Sequence, residues 1–312
     1  MSFPLTGLFA ATYTPMTASG ELNLAAIKDL VDLHVETNLS GVFVNGTTGE
    51  CHSLTVNERR DIIDAWCDAV GDRLTVIVHV GSNCQSDAIS LARHGRQAGV
   101  HGIAAMAPFF FKPSNVEQLV DYVEPIATAG GNVPFHFYHI PPLTNVELPM
   151  PDFLRMASDR IPTLAGIKFS CGDFMQLQQC LTFSDGRFDV LFGQDENLLA
   201  GMSIGVRGMI GSTYNYAAPV YHRVMEAFEA GDLETAQREQ AKAVELIHAL
   251  RPFGVLESGK AIMKMLGVDC GPVRPPLQEI DATTAGKVYR CIQHLDVFPR
   301  ELTASNVVVA QP

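Results

Sequence analysis

Basic residues are scarce in this 312-residue chain: 22 Lys and Arg stand against 34 Asp and Glu, a formal net charge of -12. A surface of that sign repels phosphate backbones and anionic lipid, which argues against nucleic acid and membrane partners. Cysteine is sparse and scattered. The seven thiols, at 51, 67, 84, 171, 180, 270 and 291, are odd in number and include no C-x-x-C, the usage of a reducing cytosol. Long apolar runs are missing too. The nearest approach to the roughly 18 residues of a membrane span lies around Ile103 to Phe111 and is broken by Pro108. The N-terminus lacks the basic flank and apolar stretch of a signal peptide, and Pro15 interrupts it. With 47% hydrophobic and 18% charged residues, what remains is a globular chain with a substantial core, expected to be soluble and cytoplasmic.

Strand-like and helix-like stretches alternate along it. Leu8 to Tyr13 is a β-type run closed by Pro15, and Ile27, Leu30, Val31 and His34 or Val35 then recur at helical spacing. Gly41 to Asn45 is a second strand. Thr55-x-x-Glu58 is a capping box that opens a helix carrying Ile62, Ala65, Trp66 and Ala69. Further strands are expected at Thr75 to Val80, Gly102 to Ala105, Val133 to Tyr138, Leu164 to Ser170, Asp189 to Phe192 and Gly208 to Ile210. Helical patterns follow each of them; Ser114-x-x-Glu117 reads as a second capping box, and Pro151 suits a helix start. Eight such units in residues 1–230 predict an α/β fold, a (β/α)8 TIM barrel. The rival doubly wound sheet would want a G-x-G-x-x-G after an early strand, and none occurs in that setting. Residues 231–305 read as a C-terminal helical extension (Glu234 to Leu250, Val255 to Met265, Ala282 to Leu295), and 306–312 as a tail.

Chemistry in such a barrel gathers at the carboxyl ends of the strands. The sixth strand carries Lys168 near its end, in an apolar run. Burial there destabilises an ammonium and lowers its pKa, giving an amine able to attack a carbonyl near neutral pH; the competing reading is a lysine that snorkels to water. Strand two ends in Gly46-Thr47-Thr48-Gly49-Glu50, a loop that can turn N–H and O–H groups toward one small anion. Tyr138 ends strand five, a poor base alone but a serviceable proton shuttle when positioned. Strand seven ends in Gly193-Gln194-Asp195-Glu196, acceptors suited to sugar hydroxyls, and strand eight in Gly211-Ser212-Thr213. His136 and His139, three apart on a strand, face opposite sides and lack an evident third ligand, so no metal site is expected.

Together, GTTGE at 46–50, FYHIP at 137–141, GIKFS at 166–170, GQDE at 193–196 and GSTYN at 211–215 resemble the pyruvate-dependent class I aldolases. That family is typified by N-acetylneuraminate lyase and dihydrodipicolinate synthase, and the resemblance covers nearly the whole chain. GIKFS, FGQDE and GSTYNY look like the lyase branch, with FVNGTTGE and FYHIPPLT similar to its animal type. It implies that Lys168 forms a Schiff base with the 2-keto carbon, without a cofactor. Thr47 and Thr48 would hold the carboxylate, and Tyr138 would shuttle protons. Ser170, Gly193, Asp195, Glu196 and Ser212 would bind the sugar portion of a keto acid or sugar acid. The implied reaction is reversible cleavage of N-acetylneuraminate to N-acetylmannosamine and pyruvate, and the implied assembly a homotetramer built as a dimer of dimers.

Two departures from the family pattern bear on substrate. Leu143 stands where dihydrodipicolinate synthases carry an arginine that grips a second carboxylate, so an amino-acid semialdehyde would lack its ion pair. Pro108-Phe109-Phe110-Phe111 has only phenylalanine where many relatives place a tyrosine. Rival readings are a Schiff-base aldolase or dehydratase for another 2-keto-3-deoxy sugar acid, a non-catalytic sugar-acid sensor, and a metal-dependent aldolase.

Overall fold

A computed structural model describes residues 5–304; the tail expected at 306–312 lies outside the described residues. Eight strands run in chain order: β1 Gly7–Ala11, β2 Gly41–Val44, β3 Thr75–His79, β4 Gly102–Met106, β5 Phe135–His139, β6 Leu164–Phe169, β7 Asp189–Phe192 and β8 Gly208–Gly211. Each is parallel to the next, and β8 closes on β1 from Gly7↔Gly208 to Ala10↔Gly211. The closed parallel barrel is the (β/α)8 architecture that the alternation predicts.

Around it lie α1 Ile27–Glu36, α2 Val56–Val70, α3 Gln85–Ala98 and α4 Val116–Ala129, then the single turn α5 Pro141–Thr144 and α6 Met150–Arg160. They are followed by α7 Phe174–Thr182, α8 Leu198–Ser203 and α9 Tyr214–Glu229. The C-terminal helices are α10 Leu233–Leu250, α11 Val255–Met265 and α12 Ala282–Ile292. The Thr55–Glu58 capping box is formed in both directions, which satisfies two amides that the helix leaves unpaired. The box expected at Ser114 is displaced by one residue. Asn115, in extended backbone, accepts from the Gln118 amide, while the Ser114 amide donates to the Gln118 side chain at 2.8 Å.

Period two along each strand divides the core into two layers. Leu8, Val42, Val76, Ile103, Phe137 and Ile167 face the helices. Phe9, Phe43, Ile77, Met106, Tyr138, Leu191 and Ile210 fill the lumen. Lys168 keeps that alternation, lying two residues beyond Gly166 and one beyond the outward Ile167. Gly166 is required at its position because a Cβ would sit 1.8 Å from the Asp189 carbonyl oxygen of β7.

Candidate active site

The site is assembled from strand ends whose register is fixed by the closure of the barrel. Tyr138 of β5 pairs with Lys168 of β6, and Lys168 with Leu191 of β7. The Lys168 side chain is buried, and its Nζ lies 4.1 Å from the ring centroids of both Phe43 and Tyr138. Snorkelling is thus ruled out: the nitrogen ends between two aromatic faces. Burial lowers its pKa from 10.5 to about 7, against the opposing influence of Asp195 and Cys51. Near neutral pH a large share of the amine is unprotonated and nucleophilic.

Phe43 touches Lys168 directly and is packed in turn by the loop above it. Gly46 is confined to glycine by close approach, since a Cβ there would stand 2.9 Å from the Phe43 ring. Tyr138 is held edge-on by Phe43 at 5.5 Å and by His79 at 5.6 Å between ring centroids. Its hydroxyl lies 3.3 Å from Thr47 Oγ1. Burial raises the phenol well above its ordinary value, offset in part by the hydroxyls of Thr47 and Ser170. Tyr138 is therefore a neutral phenol linked to a hydroxyl, the form suited to relaying a proton. His79 is kept neutral chiefly by burial and then by the Arg59 guanidinium, and its Nδ1 lies 3.0 Å from the Asn45 carbonyl oxygen.

All nine residues singled out by the sequence border one cavity of about 370 Å³: Thr47, Thr48, Tyr138, Lys168, Ser170, Gly193, Asp195, Glu196 and Ser212. Gly193 is tight against its neighbour, a Cβ there lying 2.0 Å from Ser170 Oγ. Asp195 is buried, and burial raises its pKa against the hydrogen bonds of Thr213. The Thr213 amide donates to Asp195 Oδ2 at 2.8 Å, and Thr213 Oγ1 is 2.6 Å from the same oxygen. A Cβ at Gly211 would meet Asp195 Oδ1 at 1.8 Å. Glu196 is half-buried, nearer the mouth, with Arg251 3.8 Å away.

Several contributors carry no signal of their own in the sequence. Thr213 orients Asp195, and either of two adjacent hydroxyl residues would have fitted the pattern equally. Ile247, Arg251 and Val255 form part of the cavity wall although they follow the barrel in sequence. Gln240 of α10 donates to the carbonyls of Asp195 and Glu196 at 3.3 and 3.2 Å. An apolar cavity of about 270 Å³ adjoins the site through Thr47 and includes Leu143, where no cation is present to grip a second carboxylate. His136 and His139 diverge: His136 lies 3.6 Å from Asp189, while His139 packs on the Phe169 ring. Among the described residues, no group of three or more His, Cys, Asp or Glu is placed to hold a metal ion.

The fold and the site thus define a closed parallel barrel with a desolvated amine beside a phenol at its mouth. The chain belongs to the dihydrodipicolinate synthetase family, which matches residues 4–295. N-acetylneuraminate lyase of Mus musculus is 39% identical over 305 residues, 95% of each chain. The Homo sapiens lyase is 41% identical over 288 residues, 89% of this chain and 90% of that one. The solved N-acetylneuraminate lyase of Aliivibrio salmonicida superposes with a TM-score of 0.93 at 36% identity, covering 95% of this chain and 99% of that one. The Proteus mirabilis lyase gives a TM-score of 0.92 at 34% identity, with 94% and 99% covered.

Proposed function

We propose that this chain is a Schiff-base aldolase, a carbon–carbon lyase that reversibly cleaves N-acetylneuraminate to N-acetylmannosamine and pyruvate. The observation that carries this reading is the Lys168 amine, buried between Phe43 and Tyr138 with its pKa lowered to about 7. Its neutral form attacks the C2 ketone, and loss of water from the carbinolamine leaves a protonated imine. Thr47 and Thr48 hold the adjacent carboxylate, which suits hydroxyls in a chain of net charge -12.

Bond breaking then needs an electron sink and a proton acceptor. The imine draws the C3–C4 electrons toward nitrogen as the C4 hydroxyl proton leaves, giving an enamine and an aldehyde. Tyr138 accepts that proton while passing its own toward Thr47, the 3.3 Å contact being the first link. The same relay returns a proton to C3, and hydrolysis of the imine frees pyruvate and the lysine. Ser170, Gly193, Asp195, Glu196 and Ser212 receive the departing sugar, with Asp195 fixed by Thr213 as its acceptor. The chemistry is that of a covalent lysine imine, without a cofactor.

We infer in addition a barrel over 1–230 that carries the chemistry, a helical extension over 231–305, and a tail. A homotetrameric dimer of dimers in the cytoplasm is supported by the family resemblance and by seven free thiols. The exposed, adjoining rings of Phe110 and Phe111 fit a surface that a partner subunit covers.

Borohydride with pyruvate tests the core of the reading and is expected to add one irreversible mass to Lys168. Pyruvate release from N-acetylneuraminate, compared with release from 2-keto-3-deoxygluconate, tests the substrate. Preference for the second compound would transfer the activity to another 2-keto-3-deoxy sugar acid, and an absent adduct would remove the Schiff base altogether.

A further inference from the structure

Glu50 closes the Gly46–Gly49 loop, yet its side chain turns away from the substrate cavity into a buried ion pair. Lys260 of α11 is 4% exposed, and its Nζ lies 2.7 Å from Glu50 Oε1. The same ammonium donates to the Thr14 carbonyl at 3.0 Å and to the Pro272 carbonyl at 2.7 Å. The second Glu50 oxygen accepts from the Arg274 amide at 2.7 Å. Two separate segments, at Lys260 and Arg274, thereby converge on one carboxylate, and the ammonium ties in a third at Thr14. Glu50 itself sits at φ 56° and ψ 36°, a left-handed conformation that non-glycine residues keep only when their surroundings enforce it.

The hold on Glu50 is transmitted to Thr47 through the backbone. The Glu50 amide donates to the Thr47 carbonyl at 2.9 Å. Thr14 works on the other flank: its hydroxyl donates to the Gly49 carbonyl at 2.7 Å, while its own carbonyl receives Lys260. Removing both partners of a buried ion pair in favour of apolar groups is often neutral for stability, so a pair retained here fits geometric specification better than it fits a gain in stability.

We propose that the Glu50–Lys260 pair is a positioning element for the Thr47–Thr48 carboxylate clamp, so that keto-acid affinity depends on a helix that follows the barrel. This rests on the reading that Thr47 and Thr48 hold the substrate carboxylate. The carboxylate is present in the keto acid, the imine and the sugar acid alike, so losing the clamp weakens all of them together and spares the amine chemistry.

Borohydride trapping over a pyruvate titration separates these effects. Wild-type trapping on Lys168 serves as the control: without it, the aldolase reading itself has failed. In Glu50→Gln and Lys260→Met the pyruvate concentration for half-maximal trapping is expected to rise about tenfold, with the trapped fraction at saturation unchanged. KM for pyruvate and for the sugar acid should rise in the same proportion. The uncharged double variant Glu50→Gln/Lys260→Met guards against misfolding of either single variant, and the same rise is expected there. An unchanged half-maximal concentration in the folded variants, with only a lower Tm, overturns the proposal. Failure of all three variants to fold overturns it as well, by assigning the pair to stability alone.

Discussion

Tyr138 and Lys168 are register partners on neighbouring strands, and the amine of one lies 4.1 Å from the ring centroid of the other. Because parallel register partners point to the same face of a sheet, the pairing of β5 with β6 alone brings the Lys168 amine and the Tyr138 phenol to one side of the lumen. Fine positioning is left to Phe43 and His79, which pack edge-on against the Tyr138 ring.

Lys168 should govern activity and stability in opposite senses. Lys168→Met is expected to abolish the borohydride adduct and turnover, while wild-type imine formation at subsaturating pyruvate rises with pH through about 7. The folded amine binds its proton more weakly than the unfolded one, so burial of the ammonium costs stability at low pH and that cost fades between about 7 and 10.5. The variant should therefore exceed wild type in stability by roughly a few kcal/mol below neutrality, with the gap closing as pH rises. Chemical denaturation of both proteins at pH 6 and pH 9 measures it; a constant gap would mean that the amine is not desolvated.

Tyr138→Phe keeps the ring that packs on Lys168 and removes only the relay. Imine trapping with pyruvate should survive, while turnover of the sugar acid falls by about 10²–10⁴-fold, the usual contribution of a positioned acid–base group. Wild-type-like turnover in this variant would assign the proton transfer elsewhere.

Asp195 and Gly211 make a linked pair for testing sugar recognition. Asp195→Ala should raise the sugar-acid KM at least tenfold, about the loss of a charge-assisted hydrogen bond, and leave pyruvate trapping near wild type. Gly211→Ala should reproduce that pattern without removing a polar group, because its Cβ would collide with Asp195 Oδ1 at 1.8 Å. Glu196→Ala should have a smaller effect, since that carboxylate is only half-buried. Equal effects on both ligands would place these acids outside the sugar site.

Gly166→Ala tests barrel closure. A methyl group 1.8 Å from the Asp189 carbonyl oxygen must push β6 and β7 apart, at an expected cost of about 3 kcal/mol or more, the upper range for overpacking. Thermal unfolding measures this. A shift of under a degree would show that β6 and β7 separate freely.

Most of the barrel was legible in the sequence because parallel strands buried on both faces leave short apolar runs, and amphipathic helices separate them. The candidate site was legible wherever a polar residue interrupts such a run at its end, as Lys168 and Tyr138 do. Local ambiguity produced the misplaced cap. Ser114 and Asn115 are each followed three residues later by Glu or Gln, and only the extended backbone at Asn115 distinguishes them. The Glu50–Lys260 contact spans 210 positions and has no periodicity to announce it. Thr213 was hidden by its neighbour Ser212, since two hydroxyls in a turn look alike until one is seen beside Asp195.

Ile247, Arg251 and Val255 stand in the cavity wall without belonging to any barrel unit. On the proposed reading, the reaction type is written within the barrel, whereas the choice of aldehyde is written partly outside it. Exchanges at those three positions would reshape the aperture while the lumen, its rings and its nucleophile go undisturbed. A catalyst built this way can diversify its clientele by altering its rim.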